Sequence, residues 1–113
     1  MIKIYHNPRC AKSRQGVAFL EENNQIFETV LYLKDNLEKE ELSTLIDQLG
    51  INPEALVRKT EKIWKENFKG KELSDQEILD AMIAHPKLIE RPIVSNGSKA
   101  VIGRPTESIQ TIL

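Results

Sequence analysis

The sequence has 113 residues, of which 40% are hydrophobic and 29% are charged, a composition typical of one modest water-soluble domain. Its formal net charge of -1 gives no general attraction for nucleic acid. No segment approaches the ~20 consecutive apolar residues of a membrane-spanning helix, and the first residues lack the apolar core of a signal peptide. We therefore predict a single domain over residues 1–113 that lies in the cytoplasm and binds neither nucleic acid nor membranes.

The first third of the chain has the pattern of a β-α-β unit. Residues 2–5 alternate as a short strand, and residues 11–22 have helical character with their apolar side chains toward a core. Residues 27–33 are rich in β-branched and aromatic side chains, which predicts a second strand. A helix between two strands indicates parallel pairing with a right-handed crossover.

The middle of the chain is predicted to be helical. Apolar residues recur at helical spacing up to Gly50, which supplies a stop. The pair Asn52-Pro53 has the form of a helix cap followed by a first-turn proline. Ser74 and Glu77 form a capping box for a further helix that runs to about residue 84 and ends before Pro86.

The last third returns to short strands. Residues 93–94 and 100–102 are predicted strands, and Asn96-Gly97 between them is a strong hairpin signal. A final helix follows Pro105. The predicted fold is therefore α/β, a mixed four-stranded sheet flanked by helices, with a helical insertion between a β-α-β half and a β-β-α half.

Cys10 is the only cysteine of the chain. A single cysteine excludes an internal disulfide and a zinc site made of cysteines, and Ser13 stands where a Cys-x-x-Cys motif would have its second thiol. No spacing of His, Asp and Glu suggests another metal site. We predict that no metal or organic cofactor is bound.

The position of Cys10 predicts a reactive thiol. It lies where the first strand joins the first helix, so free amide N–H groups and the helix dipole favour the thiolate and can also bind an anion. Arg14 is four residues on, along the same helical face, and His6, Arg9 and Lys12 are expected to add positive charge. Ser13 is either an ordinary first-turn residue or a hydrogen-bond donor to the sulfur.

The loop His6-Asn7-Pro8-Arg9-Cys10-Ala11-Lys12-Ser13-Arg14 resembles the glutaredoxin-coupled arsenate reductase (ArsC) family in the pattern His-Asn-Pro-x-Cys-x-x-Ser-Arg. Three later segments resemble family segments in the same order: Ala55-Leu56-Val57-Arg58-Lys59, Glu90-Arg91-Pro92-Ile93-Val94 and Ile102-Gly103-Arg104-Pro105-Thr106-Glu107. The resemblance covers essentially the whole chain, and it implies a thioredoxin-like fold with a cis peptide bond before Pro92.

The resemblance also implies roles for individual residues. Cys10 would be the nucleophile that forms a covalent adduct with arsenate, and Arg14 completes the catalytic motif. His6 and Ser13 would help to hold the thiolate. The oxyanion, first arsenate and then arsenite, would be bound by three arginines: Arg58, Arg91 and Arg104. Glutathione would be the thiol co-substrate and glutaredoxin a transient partner.

Two departures from the family pattern bear on the substrate. Family members that confer arsenate resistance typically have Gly-Thr after the cysteine, whereas this chain has Ala11-Lys12. The chain also ends soon after its last predicted helix, as expected for a shorter branch of the family. One alternative is a monothiol-disulfide oxidoreductase acting on glutathione mixed disulfides, which needs Cys10 but not the three arginines. The other is a non-enzymatic Spx-like regulator that binds RNA polymerase.

Overall fold

The computed structural model describes residues 1–35 and 37–113, and the chain divides into two compact units. We call Met1–Asn36 together with Arg91–Leu113 the sheet unit, and Leu37–Glu90 the helical unit. The single domain predicted over residues 1–113 stays a prediction. Within the described ranges, every helix is too short or too polar to cross a bilayer.

The sheet unit contains the predicted mixed four-stranded sheet. Its strands are β1 (Ile2–Tyr5), β2 (Phe27–Val30), β3 (Ile93–Ser95) and β4 (Ala100–Ile102), in the spatial order β2-β1-β3-β4. Strands β1 and β2 are parallel and are connected by helix α1 (Ala11–Glu22), as the β-α-β pattern predicted. Strand β3 is antiparallel to both β1 and β4.

One hydrophobic cluster holds this unit together. It joins β1 and β3 to α1 and to the C-terminal 3₁₀ helix Thr106–Ile112 through five buried residues: Ile4, Leu20, Val94, Ile109 and Ile112. The helix predicted after Pro105 is therefore present, but as a 3₁₀ helix. Burial of Leu20 in this cluster packs α1, whose N-cap is Cys10, against the sheet.

Strand β2 is shorter than predicted. The prediction of a strand through residue 33 is wrong because the chain turns after Val30. The N–H groups of Lys34 and Asp35 both donate to the carbonyl oxygen of Leu31, at 3.0 and 2.8 Å. This turn leaves the aromatic side chain of Tyr32 buried, so its apolar character reflects burial in a turn and not a place in the sheet.

The β3–β4 hairpin follows the Asn-Gly signal. Gly97 has φ +96°, a conformation that side-chain-bearing residues rarely adopt. The side-chain oxygen of Asn96 accepts hydrogen bonds from the N–H groups of Ser98 and Lys99, each at 2.9 Å. These local bonds fix the register that brings residues 102–104 back beside residues 91–93.

The helical unit contains α2 (Lys39–Leu49), α3 (Lys62–Asn67) and α4 (Asp75–Ala84), with 3₁₀ turns at Pro53–Leu56 and Pro86–Leu88. Gly50 ends α2 in the left-handed conformation, as predicted. The capping box is present, since Ser74 and Glu77 exchange side-chain-to-backbone hydrogen bonds. The helix predicted after Asn52-Pro53 is only a 3₁₀ turn, and Asn52 makes no side-chain capping bond.

Candidate active site

Cys10 is the N-cap residue of α1. Its N–H donates to the carbonyl oxygen of Asn7 at 3.0 Å, and its own carbonyl accepts the N–H of Arg14 at 3.0 Å. The thiol is partly exposed. The free N–H groups of the first helical turn therefore lie beside a sulfur atom that solvent molecules can reach.

The side chain of Ser13 organises the loop before the cysteine. Ser13 is fully buried, and its Oγ accepts the N–H of Asn7 at 2.9 Å. The same oxygen is hydrogen-bonded to Nδ1 of His6 at 2.6 Å. Ser13 thus ties the end of β1 to the first turn of α1, and its hydroxyl serves the loop in addition to any contact with the sulfur.

The pKa of Cys10 is lowered despite the partial burial of the thiol. Burial acts to raise it, but hydrogen bonds from the backbone N–H groups of Ser13 and Lys12 and from the Arg91 side chain act in the opposite direction. The positive charge of Arg91 adds to this effect. Together these groups outweigh burial and favour the nucleophilic thiolate.

Arg104 brings a second guanidinium group to the sulfur. Its Nη2 is 3.5 Å from the Sγ of Cys10, and its Nε donates to the carbonyl oxygen of Arg91 at 2.8 Å. Two of the three arginines predicted to bind the oxyanion therefore contact the cysteine loop or each other. The β3–β4 hairpin brings Arg91 and Arg104 to the cysteine loop, since Arg91 precedes β3 and Arg104 follows β4.

His6 is not a source of positive charge. Burial is the main reason that its pKa is lowered, and the charge of Arg14 lowers it further, whereas hydrogen bonding with Ser13 acts to raise it. The expectation that His6 adds charge beside the sulfur is therefore wrong. At neutral pH the ring is neutral, and it acts as a hydrogen-bonding partner of Ser13.

Arg14 contacts the loop through its own guanidinium group. Its Nη1 donates to the carbonyl oxygen of Pro8 at 2.9 Å. The side chain is exposed, and it closes the turn that carries the cysteine. A catalytic role for Arg14 stays a prediction.

Arg58, the third predicted oxyanion residue, belongs to the helical unit. Its Nη1 donates to Oε1 of Glu90 at 3.0 Å, and its Nε is 3.7 Å from Oε2 of Glu61. Neither carboxylate was predicted as a partner of Arg58: Glu61 is three residues further along the chain but forms no recognised motif with it, and Glu90 is 32 residues away. The role of Arg58 in binding substrate stays a prediction.

Asn7 has a structural role that was not predicted from the sequence. Its buried side chain accepts the N–H of Arg9 at 3.0 Å, and its main chain bonds both Ser13 and Cys10. The Asn-Pro pair is a turn signal that would have indicated this role. Among residues 1–35 and 37–113, no group of three or more His, Cys, Asp or Glu residues could hold a metal ion.

Comparison with known proteins gives consistent matches. The model of the ArsC family matches residues 5–112. An arsenate reductase of Neisseria meningitidis is 39% identical over 99% of this chain and 97% of the relative, and the uncharacterized protein YfgD of Escherichia coli K12 is 44% identical over 99% and 96%. The structure of an arsenate reductase from Vibrio cholerae superimposes with a TM-score of 0.94 at 44% identity, over 99% of this chain and 97% of that one.

Proposed function

We propose that this chain, which belongs to the ArsC family, reduces arsenate to arsenite with Cys10 as the nucleophile. The observation that carries the proposal is the surroundings of the sulfur. Backbone N–H groups and the Arg91 side chain lower the pKa of Cys10, and Nη2 of Arg104 is 3.5 Å from the Sγ of Cys10. The same donors that favour a thiolate can bind an approaching oxyanion, which a thiolate alone would repel.

In the first step the Cys10 thiolate attacks the arsenic atom of arsenate. A sulfur–arsenic bond forms and one arsenate oxygen leaves as hydroxide or, once protonated, as water. Arg91 and Arg104 stabilise the negative charge on the remaining oxygens, and their planar groups can each donate two hydrogen bonds to a tetrahedral anion. By the family resemblance Arg58 binds the oxyanion as well, and His6, Ser13 and Arg14 keep the loop in its reactive form.

The two electrons for the reduction come from sulfur. A glutathione thiolate attacks the sulfur of the adduct, the sulfur–arsenic bond breaks with its electron pair on arsenic, and arsenite leaves. Cys10 is then in a mixed disulfide with glutathione. Since the chain has no second cysteine to resolve it, an external thiol is needed, and the family resemblance suggests glutaredoxin. We propose the cytoplasm as the location, because glutathione keeps thiols reduced there.

The test is NADPH-coupled turnover with glutathione, glutathione reductase and glutaredoxin. Arsenate and a glutathione mixed disulfide are compared as substrates. We expect turnover with arsenate in the wild type and none in Cys10→Ser. Turnover with the mixed disulfide alone would favour the monothiol-disulfide oxidoreductase, and no turnover with either would contradict both enzymes.

The arginines separate oxyanion reduction from general thiol chemistry. Arg91→Ala and Arg104→Ala should lose most arsenate turnover while iodoacetamide still alkylates Cys10. Lysine at either position should restore little, because a point charge does not reproduce a planar fork. Full arsenate turnover in both alanine variants would contradict the proposed role of the arginines.

A further inference from the structure

The backbone of the helical unit holds Arg58 and Glu90 on neighbouring antiparallel segments. The N–H of Arg58 donates to the carbonyl oxygen of Leu88 at 2.7 Å, and the N–H of Glu90 donates to that of Leu56 at 2.9 Å. Residues two apart on paired extended segments have side chains on the same face. Arg58 and Glu90 are thus diagonal neighbours whose contact is built into the local backbone.

Two carboxylates hold the guanidinium group of Arg58. Oε1 of Glu90 accepts a hydrogen bond from Nη1 at 3.0 Å, while Oε2 of Glu61 is 3.7 Å from Nε, beyond a good hydrogen bond. The three side chains are only 19%, 26% and 27% exposed. The Nε atom is buried and has no hydrogen-bond partner among the described residues. One positive charge therefore faces two negative charges in a partly desolvated setting.

We propose that the carboxylate of Glu90 competes with the oxyanion for Arg58 and so weakens oxyanion binding. This inference rests on the proposed function, in which Arg58 binds the substrate oxyanion. A carboxylate and a tetrahedral oxyanion use the same planar donors of an arginine. The oxyanion must therefore share the Nη1 donor of Arg58 with the Glu90 carboxylate, or displace that carboxylate from Arg58.

Charge acts in the same direction as the competition for donors. The group of Arg58, Glu61 and Glu90 has one positive and two negative charges, so the two carboxylates repel an incoming anion and offset its attraction to Arg58. Partial burial reduces the screening of this repulsion by solvent. Glu61 should contribute less than Glu90, because it makes a longer contact without a hydrogen bond. Glu90 is thus a positioning residue that acts through Arg58 and sets the affinity of the site.

The experiment removes one charge at a time while keeping side-chain size. The variants are Glu90→Gln and Glu61→Gln, and the matched control is Glu54→Gln, whose carboxylate pairs with Lys59 at 2.9 Å in the same unit. Each is also made in an Arg58→Ala background. The readouts are the arsenate or inorganic phosphate concentration that halves the alkylation rate of Cys10, and KM and kcat for arsenate. Circular dichroism checks that every variant is folded.

We expect Glu90→Gln to lower the half-protective concentration and KM about twofold to fivefold, as for one charge removed from a partly screened pair, without raising kcat. Glu61→Gln should have a smaller effect, and Glu54→Gln none. In the Arg58→Ala background the effect of Glu90→Gln should be smaller than in the wild-type background, because only direct repulsion by the Glu90 carboxylate remains, whereas a loss of structure alone would raise KM. An unchanged or higher half-protective concentration in Glu90→Gln overturns the inference.

The wild type and the single arginine variant separate this inference from the proposed function. If neither anion protects wild-type Cys10 and arsenate is not turned over, the proposed function fails and the inference with it. If wild-type Cys10 is protected and Arg58→Ala is protected equally well, Arg58 does not bind the oxyanion. The inference about Glu90 is then overturned, while reduction by Cys10 with Arg91 and Arg104 stands.

Discussion

Replacing Ser13 with alanine should destabilise the protein more than an ordinary serine substitution. Its Oγ accepts the N–H of Asn7 at 2.9 Å and bonds Nδ1 of His6 at 2.6 Å. All three residues are buried, so water cannot readily replace either bond. Leaving a buried polar group unsatisfied costs about 1–3 kcal/mol. Two such groups predict a loss of about 2–6 kcal/mol, a large part of the ~5–15 kcal/mol stability of a typical domain.

The measurement is the free energy of unfolding from urea denaturation at pH 7, with Ser98→Ala as the matched control. Ser98 is exposed in the β3–β4 turn, and the group that bonds Asn96 is its backbone N–H, which alanine retains. The control should change stability by less than ~0.5 kcal/mol. Iodoacetamide alkylation of Cys10 should also slow in Ser13→Ala. The substitution removes the bond that holds Asn7, and the carbonyl oxygen of Asn7 accepts the N–H of Cys10. Equal stabilities of the two variants would refute the claim that Ser13 anchors the loop.

Three further predictions follow from the same geometry. Thiolate absorbance should give a Cys10 midpoint below the free-thiol value of ~8.5, and Arg91→Ala should raise it; a wild-type midpoint at or above that value would contradict the assignment. The pKa of His6 is lowered in the native state. As the pH falls below ~6.5, His6 is therefore protonated more readily in the unfolded state than in the native state, so the free energy of unfolding should fall. Urea midpoints between pH 5 and 7.5 should depend less on pH in His6→Asn, and an unchanged slope would count against a neutral His6. In Gly103→Ala, the new Cβ would meet Cγ of Pro92 at 2.9 Å, so thermal unfolding should report a loss of about 1–3 kcal/mol.

The parts of the fold that sequence predicted well are those governed by neighbouring residues. The Ser74–Glu77 capping box, the left-handed Gly50 and the Asn96-Gly97 turn each depend on contacts within a few positions of the chain. Their hydrogen bonds are local, so the residue types alone are sufficient to specify them. The parallel pairing of β1 with β2 followed because a helical crossover leaves few other arrangements.

The secondary-structure predictions failed where a residue is apolar because it is buried, and not because it belongs to a strand or helix with a regular pattern. Tyr32 made residues 31–33 resemble a continuing strand, yet it is buried in a turn. The short helix α3 was not predicted, because its hydrophobic pattern is too brief to show a period. Within it, Trp64 is buried and stacks on Phe68 with ring centroids 5.5 Å apart. In both places burial explains the residue, and burial has no signature in so short a segment.

The charged groups around Cys10 show the same difference between what neighbouring residues predict and what only the folded chain brings together. From spacing, Arg14 and His6 were expected to supply charge to the sulfur, but Arg14 bonds the loop carbonyl of Pro8, and the pKa of His6 is lowered. Favourable interactions with the thiolate come from the backbone N–H groups of α1, which the strand-to-helix position did predict, and from Arg91. Arg104, 94 residues along the chain, contacts the sulfur directly. Helical spacing can identify a neighbour four residues away. Arg91 and Arg104 come to the cysteine loop only through the pairing of β3 with β1 and β4. The family resemblance indicated these two arginines because the period of the sequence could not.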